Sequence, residues 1–352
     1  MKKVAVIGAG VMGLASAREL ANAGCEVTVF EKGQLFHKNG SSHGTSRIIR
    51  RAYADPYYCA LMCEAYELWR ELEVESGTEL FVKTGLLIVG NDDAQFLRDT
   101  RKSLTENRIP FDSFSCIETV RRFPGFHLDF DESSLFEFDA GYLKADKILK
   151  ALVRLCAVKG VTIHENTDVK MNELTARYDE IVICAGSFVK QFVDLDCRVT
   201  LQHAAYFLRH DTTDFPSWID ANSKFYGIPD YGKGVKVAQH VTGQEVAPNI
   251  PHEIDKGEIK RIWEYAKMRF GNHVEVGDVL TCFYTVTPNE DFRIGKLDLL
   301  VPAYFLSPCS GHGFKFATYF GRLAAELVTG SKTLEDFPKF ISGASNRQTT
   351  VE

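Results

Sequence analysis

The spacing of apolar residues changes period twice within the first thirty positions. Val4, Ala5, Val6 and Ile7 form an unbroken apolar run, suited to a parallel strand covered on both faces. From Val11 to about Asn22 the spacing becomes helical and stops near Gly24, after which Glu26 to Glu31 reads as a second strand. The same strand, turn and helix succession returns in "YDEIVICAGSFVKQF", where Ile181, Val182 and Ile183 form a buried strand running into a Gly186 turn and a helix. It returns again in "AYFLSPCSGHGFKFATYFGRLAAELVTG", with Phe316, Phe320, Leu323 and Leu327 at helical spacing and Gly330 as the C-cap.

Between these pieces the texture differs. "GLLIVG" at 85–90, Leu201 to Arg209, Gly234 to His240 and Val279 to Val286 read as short strands, punctuated by turn signals such as "PDYGKG" and "TPNED". The pattern predicts an α/β protein. A Rossmann-like nucleotide-binding domain is assembled from discontinuous segments, residues 1–83, 140–199 and 292–352, and a mostly antiparallel β-sheet substrate (catalytic) domain from 84–139 and 200–291. No internal repeat or low-complexity segment interrupts this reading.

Gly8, Gly10 and Gly13 match G-x-G-x-x-G: the first permits the tight turn, the second lets a pyrophosphate approach the backbone, and the third lets helix and strand pack closely. Glu31 ends the second strand, where a carboxylate can accept hydrogen bonds from ribose hydroxyls. Strand before, helix after and acid at this distance point to a dinucleotide but do not choose between FAD and NAD. The separation of the three strand-turn-helix pieces favours FAD, since NAD domains are usually continuous.

With 352 residues, 45% hydrophobic and 12% aromatic, the chain can bury one large core or two moderate ones. Its 41 basic and 47 acidic residues give a net charge of −6 without blocks of like charge, which argues against nucleic acid or an anionic membrane as partner and for a small molecule. Nine cysteines, scattered without CxxC pairs, suggest neither a disulfide framework nor a metal site and fit a reducing cytoplasm. Lys2 and Lys3 before a small-residue apolar stretch mimic a signal peptide, but the glycine spacing explains that stretch better. No run of 18 apolar residues spans a membrane.

Candidate chemistry lies in three further stretches. In "GKGVKVAQHVTG" strand alternation places Lys236, Ala238 and His240 on one face, and by periodicity alone that face reads as solvent-exposed. "VLTCFYTV" puts Cys282 and Tyr284 on one face, which reads equally as a packed thiol and aromatic. "NGSSHGTSRIIRRAY" carries His43, Ser46, Arg47, Arg50 and Arg51; it reads either as a charged loop opening a solvated helix or as an anion site, with Arg47 and Arg50 sharing a helical face. Lys315, wedged between Phe314 and Phe316 after a glycine-rich turn, is a cation in an otherwise apolar helix start.

These segments resemble, nearly end to end and in family order, the monomeric sarcosine oxidase and N-methyltryptophan oxidase family of D-amino-acid-oxidase-like flavoenzymes. The likeness rests on GAGVMGLASARELANAG, NGSSHGTSRIIRRAY, KTGLLIVG, GYLKADKIL, FYGIPDYGKGVKVAQH, CFYT and SGHGFKF. It implies FAD held covalently by a thioether from Cys282, whose thiolate is the nucleophile, and a substrate carboxylate bound by Arg50 and Lys315 at a helix N-terminus. It further implies that Lys236 assists the reaction with oxygen, that His240, Tyr226 and Tyr284 line the amine pocket, and that His43, Ser46, Arg47, Gly311 and Gly313 border the flavin. Arg51 stands where the family commonly has His and Ser46 where it has Thr, implying a change in pocket charge or flavin electronics. The stretch from Phe188 to Pro229 departs most from the family.

The expected activity is oxidation of a secondary amine, an N-methyl or cyclic amino acid, to the imine by hydride transfer to flavin N5, with oxygen reduced to hydrogen peroxide by a cytoplasmic monomer. A flavin dehydrogenase using another acceptor, a NAD-dependent dehydrogenase and a non-catalytic nucleotide-binding protein remain open as alternatives.

Overall fold

The computed structural model describes residues 1–209, 215–241 and 243–341. The predicted interval 292–352 therefore has its last eleven residues outside the described part, as does 210–214 within the interval 200–291.

The apolar run Lys3–Ile7 is the fourth strand of a six-stranded sheet ordered 293–297, 303–307, 180–183, 3–7, 26–30, 162–164. All neighbours pair in parallel except the edge strand Arg293–Leu297. Alternation along the central strand divides the core. Val4 and Val6, with Val27, Val29 and Val182, pack under the helices Val11–Asn22, Ala145–Val158 and Ala317–Thr329, whereas Ala5, Ile7, Ile181 and Ile183 pack on Val189, Val193 and Phe305 on the opposite face. The three strand-turn-helix pieces seen in the sequence thus meet in one sheet although some 300 residues separate the first from the last.

The second sheet is built around the long strand Arg198–Arg209, which pairs antiparallel with Val274–Val286 and with Val235–Gln239. It continues through 225–228, 217–220, 86–91, 132–137 and 111–115. Every pairing is antiparallel but one: Ser217–Asp220 runs parallel to Leu86–Asn91. Its outer side is filled by Phe207, Trp218, Val237 and Phe126 under the helix Lys256–Phe270. A small antiparallel sheet of 46–49, 141–144 and 81–83 joins the two larger ones.

Three local expectations are corrected. Arg47 and Arg50 do not share a helical face, because Ser46–Ile49 is a strand and the helix begins only at Pro56, capped by Asp55. That helix, Pro56–Ser76, is not solvated on all sides: Tyr58, Met62, Trp69 and Leu72 lie in the main core. The segments after Gly186 and Gly313 are single 3₁₀ stretches, Gly186–Gln191 and Phe314–Phe316, so Lys315 precedes the α-helix, which starts at Ala317.

One buried ion cluster ties the second sheet to its helix. Arg269 donates to both oxygens of Glu132 at 2.6 Å and to Asp220 at 2.7 Å, all three side chains being buried. Arg269→Met leaves two carboxylates uncompensated and should lower the unfolding free energy by about 3–5 kcal/mol in a urea titration. Burial opposes ionisation of Asp220, but the bonds from Arg269 and Ser223 outweigh it and depress its pKa. The stability it contributes is present above the ordinary carboxylate range and lost as pH falls through the depressed value, so the deficit of the variant should shrink on acidification.

Candidate active site

A cleft of about 660 Å³ runs from the carboxyl ends of the parallel strands to the inner face of the second sheet. Its place is where open α/β sheets bind ligands, and its size lies in the range of pockets that enclose whole small molecules. Every sequence-predicted site residue except Gly13 lines it. Gly13 acts one layer behind: a Cβ there would sit 1.8 Å from the Gly8 carbonyl oxygen, so its lack of a side chain lets helix and strand touch.

At the nucleotide end, Gly8 has φ +98°, and the Gly10 position faces only the Ser42 hydroxyl. Gly10 offers no side-chain cap to the helix that follows; the Ser42 Oγ accepts from Val11 N at 3.1 Å instead. The other first-turn amides have no intrahelical acceptor and suit an anion. Glu31 accepts from Ala9 N at 2.8 Å and Gly33 N at 2.9 Å, with His37 Nε2 at 3.2 Å. Although burial alone pushes its pKa up, these donors lower it, so Glu31 is a fixed carboxylate with lone pairs left for ribose hydroxyls.

The middle of the cleft is lined by the 39–46 segment and by the strands carrying Lys236 and Cys282. Arg47 donates to the carbonyls of Ser41, His43 and Ser46, which clamps this loop, and Ser41 Oγ donates to Phe283 O at 2.6 Å. The Lys236 side chain is 3% exposed and Nζ donates to the same Ser46 carbonyl at 3.2 Å. The expectation of a solvent-facing strand is thereby corrected: Val235 to Ala238 are buried, Val235 and Val237 in the core with Ile262 and Phe270 and Lys236 against the Ser46 carbonyl. Burial and the Arg47 guanidinium lower the Lys236 pKa to about 7. Burial and the same cations hold His43 at about 4, a neutral ring whose buried Nε2 has no partner among the described residues. Cys282 lies partly open to the cleft, and its pKa is raised by burial, against the pull of Arg47 and Lys236. Desolvation thus favours the thiol over the thiolate that the resemblance implies as nucleophile.

The far end is a cation pocket. Lys315 is 7% exposed; its Nζ donates to Tyr53 Oη at 3.1 Å and to the His312 carbonyl at 3.0 Å. Arg50 lies over the Tyr53 ring at 4.0 Å, and its Nη1 is buried with no hydrogen-bond partner among the described residues. Burial, then Arg50 and Arg47, push the Lys315 pKa well below its ordinary value. Both cations face neutral partners in a dry wall, which is the arrangement of an anion receptor. Arg51 does not add charge here. Its guanidinium packs on Tyr66 at 3.9 Å and approaches Asp139, away from the cleft, so the expected change in pocket charge is not found.

Tyr284, Tyr226 and His240 form the wall beside this receptor. The two tyrosine hydroxyls interact, the His240 and Tyr284 rings lie 5.6 Å apart, and His240 Nε2 is 3.6 Å from Glu290. Gly311, at φ +77°, is required there, since a Cβ would fall 2.4 Å from the Tyr284 ring and 2.8 Å from the His240 ring. Gly313 is equally constrained by the Pro308 carbonyl, 1.4 Å from a would-be Cβ. Tyr53, Glu290 and His312 occur in the sequence stretches NGSSHGTSRIIRRAY, TPNED and SGHGFKF, but nothing in those stretches assigns them a role. No spacing rule connects residues 53, 290 and 312; only the fold does.

The orphaned His43 nitrogen, the open Gly10 approach and the ready Glu31 acceptor fit a flavin dinucleotide along the cleft. Known proteins agree. The sequence profile of the DAO family, described as FAD dependent oxidoreductase, matches residues 3–327. The chain is 29% identical over 370 residues to a monomeric sarcosine oxidase of Arthrobacter sp. (strain TE1826), covering 96% of this chain and 95% of the relative. It is 28% identical over 366 residues to an N-methyl-L-tryptophan oxidase of Yersinia pestis (strain Pestoides F), covering 95% and 97%. In fold it superposes on NikD, an unusual amino acid oxidase essential for nikkomycin biosynthesis, in its open form, with a TM-score of 0.84 at 20% identity over 98% of each chain.

Proposed function

The chain belongs to the DAO family of FAD-dependent oxidoreductases, and from that premise we propose that it oxidises a secondary amino acid, N-methyl or cyclic, at the carbon next to nitrogen, with oxygen as the electron acceptor. The convergence of Arg50 and Lys315 on Tyr53 carries this reading, because a buried pair of cations awaiting an anion specifies a substrate with a carboxylate. The names of the two sequence relatives, both oxidases of N-methyl amino acids, support the amine.

FAD, when bound, supplies a two-electron acceptor that takes a hydride at N5 and passes the electrons to oxygen. The chain's own residues do the rest. The Gly8 to Gly13 turn and Glu31 hold the dinucleotide. Arg50 and Lys315 fix the carboxylate, so that the amine end is oriented by charge rather than by shape, and the rate gain comes from that orientation. Tyr226, Tyr284 and His240 close the amine pocket and exclude water. No residue need act as a base, since the neutral amine loses only a hydride; the imine product of an acyclic substrate then hydrolyses to aldehyde and amine. Lys236 presents a positive charge to oxygen as it is reduced. Cys282 would hold the flavin covalently as a thioether at its 8α-methyl carbon, a link whose formation releases the thiol proton, one methyl proton and two electrons that pass to oxygen. Arg47 and Lys236 are the groups that help its thiol ionise.

In anaerobic mixing, N-methyl and cyclic amino acids should bleach the flavin, and their carboxamides should do so about thirtyfold less efficiently or worse, the loss expected when a desolvated charge is left unpaired. Equal efficiency for acid and amide would remove the carboxylate receptor. After acid precipitation the yellow colour should stay in the pellet for the native protein and pass to the supernatant for Cys282→Ser. Lys236→Met should slow reoxidation of the reduced enzyme by air about 10²- to 10³-fold while affecting anaerobic reduction far less. Because the lysine is charged below about 7 and neutral above, native reoxidation should slow as pH rises through that value, and the variant should show no such step.

A further inference from the structure

Behind the cation pocket runs a chain of hydrogen bonds whose polarity follows from which atoms are able to donate. The Glu290 carbonyl can only accept, and it lies 3.1 Å from His312 Nε2, so that nitrogen carries the ring proton. Nδ1 is then an acceptor, with the Tyr53 hydroxyl 3.2 Å away. Lys315 Nζ donates to the Tyr53 oxygen, which leaves the phenolic proton free for Nδ1. The imidazole is held in place by stacking on Phe292, centroids 4.4 Å apart at 26°, and by flanking glycines that admit no side chain. Burial, Lys315, His240 and Arg50 all keep the ring neutral.

The charged groups around Lys315 do not offer a substitute for the Tyr53 oxygen. From the neighbouring strand and the residue after it come Arg47 and Arg50, both cations that oppose its charge. The carboxylates nearby have other partners. Glu137 accepts from the backbone amides of Arg51 and Ala52, and Asp291 accepts from Tyr58 Oη. Glu290 directs its side chain at His240. What stabilises the ammonium is therefore two neutral oxygens, the His312 carbonyl and the Tyr53 hydroxyl.

We propose that Tyr53 and His312 are positioning residues of the carboxylate receptor: His312, fixed as its Nε2–H tautomer, turns the Tyr53 hydroxyl so that its lone pair holds Lys315 as an ammonium facing the cleft. This deepens the reading of Arg50 and Lys315 given above and rests on it. The device lets the pocket stay charged before substrate arrives, without a counter-carboxylate that the substrate would have to displace.

The test is calorimetric binding of propionate to the holoenzyme from neutral to alkaline pH. Native affinity should fall as pH rises and Lys315 loses its proton. Tyr53→Phe should move that fall to lower pH by about one to two units, the consequence of losing one hydrogen bond to a charged group. His312→Leu should move it the same way, and His312→Asn, which keeps an acceptor near the Nδ1 position, should move it back. An equal weakening of Tyr53→Phe and His312→Leu at every pH, with the fall unmoved, overturns the proposal and leaves the receptor standing. Unchanged, still pH-dependent affinity in Lys315→Met would sink the receptor and this inference together.

Discussion

Lys315 and Arg50 sit in a buried wall where their partners among the described residues are neutral, the Tyr53 side chain and the His312 carbonyl. Removing an ion from water costs several kcal/mol even after relaxation, so the site persists only because neutral dipoles and an aromatic face stand in for water. The Tyr53 side chain serves both cations at once, its ring under Arg50 and its hydroxyl on Lys315. On the proposed reading, a substrate carboxylate would compensate both cations, turning a destabilising feature of the free protein into binding energy.

The same economy of partners recurs at the other end of the cleft. Lys236 and Arg47 share the Ser46 carbonyl, and their proximity depresses the lysine. Two sheets supply the two walls. The parallel one brings strand ends and a helix start to the dinucleotide, while the antiparallel one presents Tyr226 and Lys236 from adjacent strands and Cys282 and Tyr284 from the strand across Arg198–Arg209. The 39–46 loop joins them, with Thr45 hydrogen-bonded to Tyr206 across the gap at 2.8 Å. Glycines appear where the walls approach most closely, and at Gly311 both the backbone angle and the Tyr284 ring require one.

Where sequence reading went astray, the cause was tertiary. Alternation in Val235–Gln239 suggested an exposed face, but a strand packed on both faces keeps its period while losing its exposed side. Arg47 and Arg50 were spaced for a helix and lie in and after a strand, because pairing with Gly141–Lys144 outweighs local spacing. Arg51, adjacent to Arg50, lies past the end of that strand, its guanidinium packed on Tyr66 and near Asp139 instead of the cleft.

The order of apolar and glycine residues determined the α/β class, the dinucleotide turn and the discontinuous first sheet, because those depend on periodicity and on backbone conformations that only certain residues adopt. The glycine motif and the family resemblance named by number about a quarter of the residues that line the cleft, and all but one of the site residues they named lie there. Only the folded chain decided that Lys315 is served by Tyr53 and His312, that Glu290 lies on the far wall, and that burial pushes the Cys282 pKa up and the Lys236 pKa down. Those properties depend on distances between residues far apart in the chain and on the loss of water around them, and neither quantity is written in local order.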